Sequence, residues 1–201
     1  MYLLLTDILT CPRCGPEFGL ILLADRIEER RVLSGRLGCA NCREQYAVED
    51  GFGVLGSGWS SEPRQPDDEA VVRMAALLGI TEGPGFVLLV GDAAVHAEAL
   101  AGLVPNLEVI AASDTAAAWQ ERAGVSRIGI GRNLPFPARS LRGVVLTGDA
   151  ASELLEQSAR SLAPMARLVL EDAPEDAAQR LETEGLRILA QQGDTVVAVR
   201  G

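Results

Sequence analysis

All four cysteines of this chain fall in its first 42 residues, as Cys11-Pro-Arg-Cys14 and Cys39-Ala-Asn-Cys42, and no other feature constrains the fold as tightly. Two-residue spacing lets both sulfurs of a pair turn around one ion, and two such pairs complete a tetrahedral site. The 24 residues between the pairs have the length of a β-excursion that leaves one knuckle and returns to the other. Two disulfides are the alternative, and they suit a secreted chain. The start, MYLLLTDILTCPRCG, lacks a basic n-region and breaks into Asp7 after four apolar positions, which is not the pattern of a signal peptide. The reading is therefore a cytoplasmic location and a structural zinc on Cys11, Cys14, Cys39 and Cys42. Four thiolates leave no open position for a catalytic water.

Charge disfavours one class of partner. The chain carries 28 acidic and 18 basic residues, a net charge of −10. The acid excess persists on both sides of residue 57, and neither side has a basic stripe able to neutralise phosphates. Nucleic-acid binding is not expected. The longest apolar runs, such as LILL and FVLLV, are far too short for a transmembrane segment.

The residues around the knuckles add to this. LLTDILTCPRCG, followed by LGCANCREQYAVEDGFGVL, resembles the small zinc-ribbon proteins that bind and activate methyltransferases. The likeness covers residues 2–56 and departs at Ala47 and Gly53, where the family carries proline. It implies a ribbon that docks on a methyltransferase fold and has no chemistry of its own.

The composition marks three parts: a ribbon at 1–57, a Gly/Ser/Pro-rich linker at 58–68, and a second domain at 69–201. Trp59 within the linker is expected to pack back on a neighbouring domain. Beyond residue 69, strand-like runs at 86–90, 107–112, 126–130, 143–147, 167–170, 186–190 and 195–199 alternate with helical stretches near 93–103, 114–123, 150–163 and 174–184. Such alternation predicts an α/β fold with a doubly wound, mainly parallel sheet. Gly193-Asp194 predicts a closing antiparallel hairpin. The runs Asn133-Leu134-Pro135-Phe136-Pro137 and Ala159-Arg160-Ser161-Leu162-Ala163-Pro164 resemble class I S-adenosylmethionine-dependent methyltransferases at the approaches to their fourth and fifth strands.

That resemblance implies a cofactor site, and this sequence departs from it. The first turn keeps Gly91 and Asp92, but Ala93 and Val95 stand where two further glycines are expected. Ser113 holds the slot of the ribose-binding acid, with Asp114 one place late and read as a helix N-cap. Arg142 replaces an aspartate, and Pro164-Met165-Ala166 replaces a Pro-Gly-Gly turn. Gly91, Asp92, Ser113 and Asp114 are thus vestigial cofactor-binding candidates, and binding of S-adenosylmethionine is doubtful. No catalytic residue is assigned. His96, the sole histidine, has no orienting partner legible in sequence; Asp92 and Asp149 fall at strand ends, where ligands bind in such folds. The expectation is a non-catalytic interaction or structural subunit, or an assembly factor, of a larger protein complex, with a membrane surface as one setting. A methyltransferase with a divergent cofactor site is the alternative.

Overall fold

The computed structural model describes residues 1–61 and 66–201; the linker residues 62–65 lie outside the described residues. The N-terminal part consists of a 3₁₀ turn at Leu3–Leu5 and five strands: β1 (Thr10–Cys11), β2 (Gly15–Glu28), β3 (Arg31–Cys39), β4 (Gln45–Glu49) and β5 (Phe52–Val54). All five are joined in antiparallel order. After it come α1 (Asp68–Leu78), β6 (Phe86–Val90), α2 (Ala97–Leu103), β7 (Glu108–Ala112), β8 (Val125–Gly129), β9 (Leu141–Leu146), α3 (Ala150–Glu153), α4 (Leu155–Ser161), β10 (Leu162–Leu170), α5 (Ala177–Thr183), β11 (Leu186–Gln192) and β12 (Thr195–Arg200).

One sheet runs through the whole molecule, in the order β1-β2-β3-β4-β5-β8-β7-β6-β9-β10-β12-β11. From β8 to β10 the strands are parallel, and β12 and β11 are antiparallel additions at the far edge. The sequence explains the difference. The runs FVLLV, EVIAA and LRGVVL are apolar at successive positions, as strands buried on both faces require. Val87, Leu89, Val109, Ala111 and Val145 face α1 and α2, while Leu88, Val90, Ile110, Ala112 and Val144 belong to the opposite core. Helix α1 starts at an Asp67 cap whose side chain accepts from the Glu69 N–H, and it ends at Gly79 in the left-handed region, φ 66°.

The N-terminal part joins through a parallel pairing of β5 with β8, Phe52 opposite Arg127 and Val54 opposite Gly129. Its apolar residues also complete a core. Met1, Leu5, Leu9, Val32, Leu37 and Val48 share one cluster with Leu88, Val90, Ile110 and Ile128. Parallel strands usually need a crossover helix between them. The β8–β9 connection has none, and the N-terminal part covers this face: Thr10 N–H donates to the Pro135 carbonyl at 2.9 Å, and Asn133 Nδ2 to the Pro12 carbonyl at 2.9 Å.

Helix lengths differ from the sequence expectation. Residues 114–123 form a 3₁₀ turn only at Asp114–Ala118, residues 91–96 are also 3₁₀, and the stretch at 150–163 breaks into α3 and α4 before β10 begins at Leu162. Ala-rich segments score as helix by propensity, but packing against strand ends stops them early.

Candidate metal centre and ligand crevice

The four cysteines converge although 24 residues lie between Cys14 and Cys39. Their sulfurs lie within 4.8 Å of one another, a cluster able to hold a metal ion. Cys11 Sγ is 3.7 Å from Cys42 Sγ, and Cys39 Sγ is 3.9 Å from Cys14 Sγ. A tetrahedron with metal–sulfur distances of about 2.3 Å has edges of about 3.8 Å, so the donor set fits zinc in size and chemistry. All four are free thiols. Gly15, at φ 97°, lets the chain leave the first knuckle in a conformation other residues avoid.

Donors surround the sulfurs. The Cys14 N–H points at Cys11 Sγ (3.4 Å), Asn41 Nδ2 at Cys14 Sγ (3.3 Å), and the Tyr46 hydroxyl lies 3.4 Å from Cys11 Sγ. Burial opposes ionisation of Cys11, but Tyr46 and the backbone N–H groups of Cys14 and Arg13 outweigh it and bring its pKa down to about 6. At Cys42 the Glu44 backbone favours the thiolate, yet burial and the three neighbouring sulfurs push the pKa up to about 12. Without a cation, then, the cluster favours ionisation of Cys11 and opposes that of Cys42. Tyr46 and Asn41 were not legible as part of the site; their positions beside the knuckles were the only signal.

The second candidate region lies at the carboxyl ends of the parallel strands, where doubly wound sheets bind ligands. Gly91 sits at φ 72°, and a Cβ there would be 2.9 Å from Thr147 Oγ1. Thr147 latches the first turn: its hydroxyl donates to the Val90 carbonyl (3.0 Å) and accepts from the Ala93 N–H (3.3 Å). Ala93 and Ala94 are buried, as is His96, and Asp92 is half-buried. In this 3₁₀ turn only Gly91 has positive φ, so Ala93 and Val95 occupy positions that no longer call for glycine. Asp149, beyond the end of β9 and just before α3, is exposed.

Ser113 and Asp114 are covered by the chain itself. Ser113 is 0% exposed. Its hydroxyl is 3.0 Å from Ser61 Oγ and 2.8 Å from Thr115 Oγ1, and it accepts from the Ser61 N–H at 3.1 Å. Asp114 is no helix cap: Ser113 precedes the turn, and the Asp114 carboxylate accepts from the Gly58 N–H at 2.9 Å. Trp59 does pack back: it is 8% exposed, and its Nε1 donates to the Gly131 carbonyl at 2.9 Å.

Two of the sequence departures turn out not to concern this crevice. Arg142 is the second residue of β9, at the amino end of the strand, and donates to the carbonyls of Glu82 and Pro84. Met165, at φ 64° and 73% exposed, lies between Leu162, which pairs with Leu141, and Arg167, which pairs with Gly143. Register places both at the opposite end of the sheet. A pocket of about 840 Å³ also opens at that end, lined by Tyr2, Phe86, Asn106, Glu108 and Gly124 among others.

A buried ionic cluster joins the two parts of the chain. Arg31 Nε pairs with Glu121 (2.6 Å) and its Nη1 with Glu108 (2.7 Å); Arg127 Nη2 pairs with Glu121 (3.1 Å), and the Met1 amine donates to Glu121 (2.8 Å). Arg127 also donates to the carbonyls of Asp50, Ala116 and Trp119. Burial opposes the charge of Glu121, but the Met1 amine and Arg31 hold its carboxyl below the usual range.

No family model matches this sequence, and no curated protein matches it. Among solved structures, the chain is similar to a methyltransferase of an antibiotic biosynthesis pathway from Anabaena variabilis, with 20% identity over 53% of this chain and 46% of that one, TM-score 0.43. It thus spans under half the length of that protein. The tRNA (m1A58) methyltransferase TrmI of Aquifex aeolicus is 12% identical over 71% of this chain and 72% of its own, TM-score 0.49. A complex between the Haloferax volcanii Trm112 methyltransferase activator and a methyltransferase is 15% identical over 69% and 99%, TM-score 0.48. The arrangement here is a doubly wound, mainly parallel sheet with helices, preceded by a cysteine-rich β region. Among the described residues, no helix is long and apolar enough to cross a membrane.

Proposed function

We propose that this protein is a non-catalytic, methyltransferase-like subunit of a larger protein assembly, cytoplasmic, with a structural zinc on Cys11, Cys14, Cys39 and Cys42. The zinc would hold the two knuckles at the end of the β1–β3 framework, and a closed four-thiolate shell leaves it no role as a Lewis acid. By pinning β3 to β1, it would support the strands that reach the seam with β8.

One observation carries the non-catalytic reading: Ser113, in the slot of the ribose-binding residue, is fully buried and hydrogen-bonded to Ser61 of the chain's own connecting segment. The Thr147 latch on the Ala93 N–H adds to it, because it spends an amide that a phosphate-style turn would aim at its ligand. A protein partner follows from what remains, a rigid continuous sheet with apolar side chains exposed on β2, including Ile21 and Leu23.

The test is calorimetry of the full chain with S-adenosylmethionine. A charge-assisted hydrogen bond to ribose is worth about 1.5–3 kcal/mol, and intrusion on a close backbone approach costs roughly 1–3 kcal/mol. Together these weaken a micromolar site by about two decades or more. Binding no tighter than about millimolar is expected. A micromolar dissociation constant, or methyl transfer by the purified protein, would overturn the reading in favour of a working methyltransferase.

A further inference from the structure

The segment Gly58–Ser61 makes more specific contacts than a connection between two parts of a chain requires. Nucleoside ligands of doubly wound sheets meet an acidic residue about 20 positions beyond the glycine turn, which takes the ribose hydroxyls. Here Ser113 stands in that slot and Asp114 follows it, beyond the end of β7; the Asp114 carboxylate accepts the Gly58 N–H at 2.9 Å. The Asp114 N–H in turn donates to the Trp59 carbonyl at 2.7 Å. The Ser61 hydroxyl lies 3.0 Å from Ser113 Oγ and 2.7 Å from Thr115 Oγ1. Beside them the Trp59 ring, 8% exposed, presents one N–H to the Gly131 carbonyl beyond the end of β8.

This is the donor and acceptor pattern of a nucleoside: two small polar donors on an acid and a hydroxyl pair, and a flat fused five-six ring with an N–H on a backbone carbonyl. Indole and purine have the same ring plan and nearly the same area. The neighbouring residues Ser57 and Ser60 are exposed, so the strap is held by its own bonds rather than by an overlying layer. Releasing it uncovers polar groups at strand ends and lifts Trp59 out of its seat in one of the two apolar cores.

We infer that Gly58–Ser61 is a built-in occupant of the nucleoside half of the crevice, with Trp59 in the place of a base and Ser61 in the place of ribose hydroxyls, closing a site that a free nucleoside enters once the strap is displaced. The inference rests on the reading of the crevice given above, but concerns the strap and not the glycine turn. Adenosine is therefore the probe, because it carries no methionine portion and makes no demand on Gly91–His96.

The experiment uses the full chain and a Trp59→Gly/Ser61→Ala variant, with equal zinc content and equal far-ultraviolet dichroism as the criterion of folding. The wild type should bind adenosine at millimolar strength or weaker; the variant should bind at least tenfold tighter in calorimetry, and adenosine should raise the melting temperature of the variant alone. A folded variant with no gain overturns the inference, and so does a wild type that binds as tightly as the variant. Should the double variant fail to fold, Trp119→Phe leaves Trp59 as the single indole of the chain's two. Adenosine should then shift its emission to the red as the ring leaves its buried seat, at lower concentration when Ser61→Ala is added. Unchanged emission at saturating adenosine overturns the inference. Methyl transfer by the wild type would sink the non-catalytic reading without touching this comparison.

Discussion

Replacing Glu121 with Gln removes the shared negative centre of the buried cluster while keeping its shape. In the wild type this carboxylate meets Arg31, Arg127 and the Met1 amine, and the Arg127 side chain is only 1% exposed. After the change Arg31 retains Glu108, but Arg127 keeps only backbone carbonyls. Removing one partner of a buried ion pair costs about 3–5 kcal/mol, because a charge stays in low dielectric without compensation. Glu108 and the carbonyls place the expected loss at the lower end, about 3 kcal/mol. For a chain of this size that lowers the melting temperature by roughly 6–12 °C. The assay is thermal unfolding followed by far-ultraviolet dichroism and by tryptophan fluorescence. Acid supplies a second readout. The folded-state pKa of Glu121 lies below its ordinary value of 4.5. Its contribution is therefore fully present above that value and is lost as pH falls through the folded-state pKa. The gap between wild type and Glu121→Gln should narrow as pH falls below 4.5 and through the folded-state pKa. A loss under about 1 kcal/mol at neutral pH, or a gap that persists in acid, would refute the argument that this cluster fastens the two parts.

Purified protein should contain one zinc per chain by elemental analysis, and Cys39→Ser should abolish it; a metal-free, folded wild type would count against the proposed site. Because β5 and the N-terminal apolar residues complete the second part's sheet and core, loss of zinc should also lower the stability of the helical part, visible as a single earlier melting transition rather than two. Gly129→Ala places a Cβ 2.6 Å from the Gly56 carbonyl oxygen and 3.1 Å from Phe52, so the β5–β8 seam must shift. Overpacking of this kind costs roughly 1–3 kcal/mol in chemical denaturation, and an unchanged midpoint would show that the seam yields freely. The Arg180–Glu156 pair, at 2.7 Å but partly exposed, should matter less: Arg180→Ala is expected to cost at most about 1 kcal/mol by the same measurement.

How much of this was legible beforehand follows from the range of the forces involved. The two CxxC pairs dictate a local geometry at each knuckle, so the four-sulfur cluster could be read directly from spacing. Continuous apolar runs and the Gly193-Asp194 turn are also local signals, and they specify β6 to β12 to within a few residues of where the strands lie. Lengths of helices were less legible, since Ala-rich stretches at 91–96 and 114–118 are cut short by strand ends that only packing brings near. Counting positions from a family pattern treated Arg142 and Met165 as part of a crevice; strand register puts them at the other end of the sheet, a distinction that spacing does not carry. The three decisive features are all long-range. The parallel seam of β5 on β8, the cluster of Arg31 with Glu108 and Glu121, and the Gly58–Ser61 strap over Ser113 join residues 50 to 90 positions apart. Pairings at such separation depend on which faces remain unburied once the strands have assembled, and that is a property of the assembled sheet and not of any stretch of sequence.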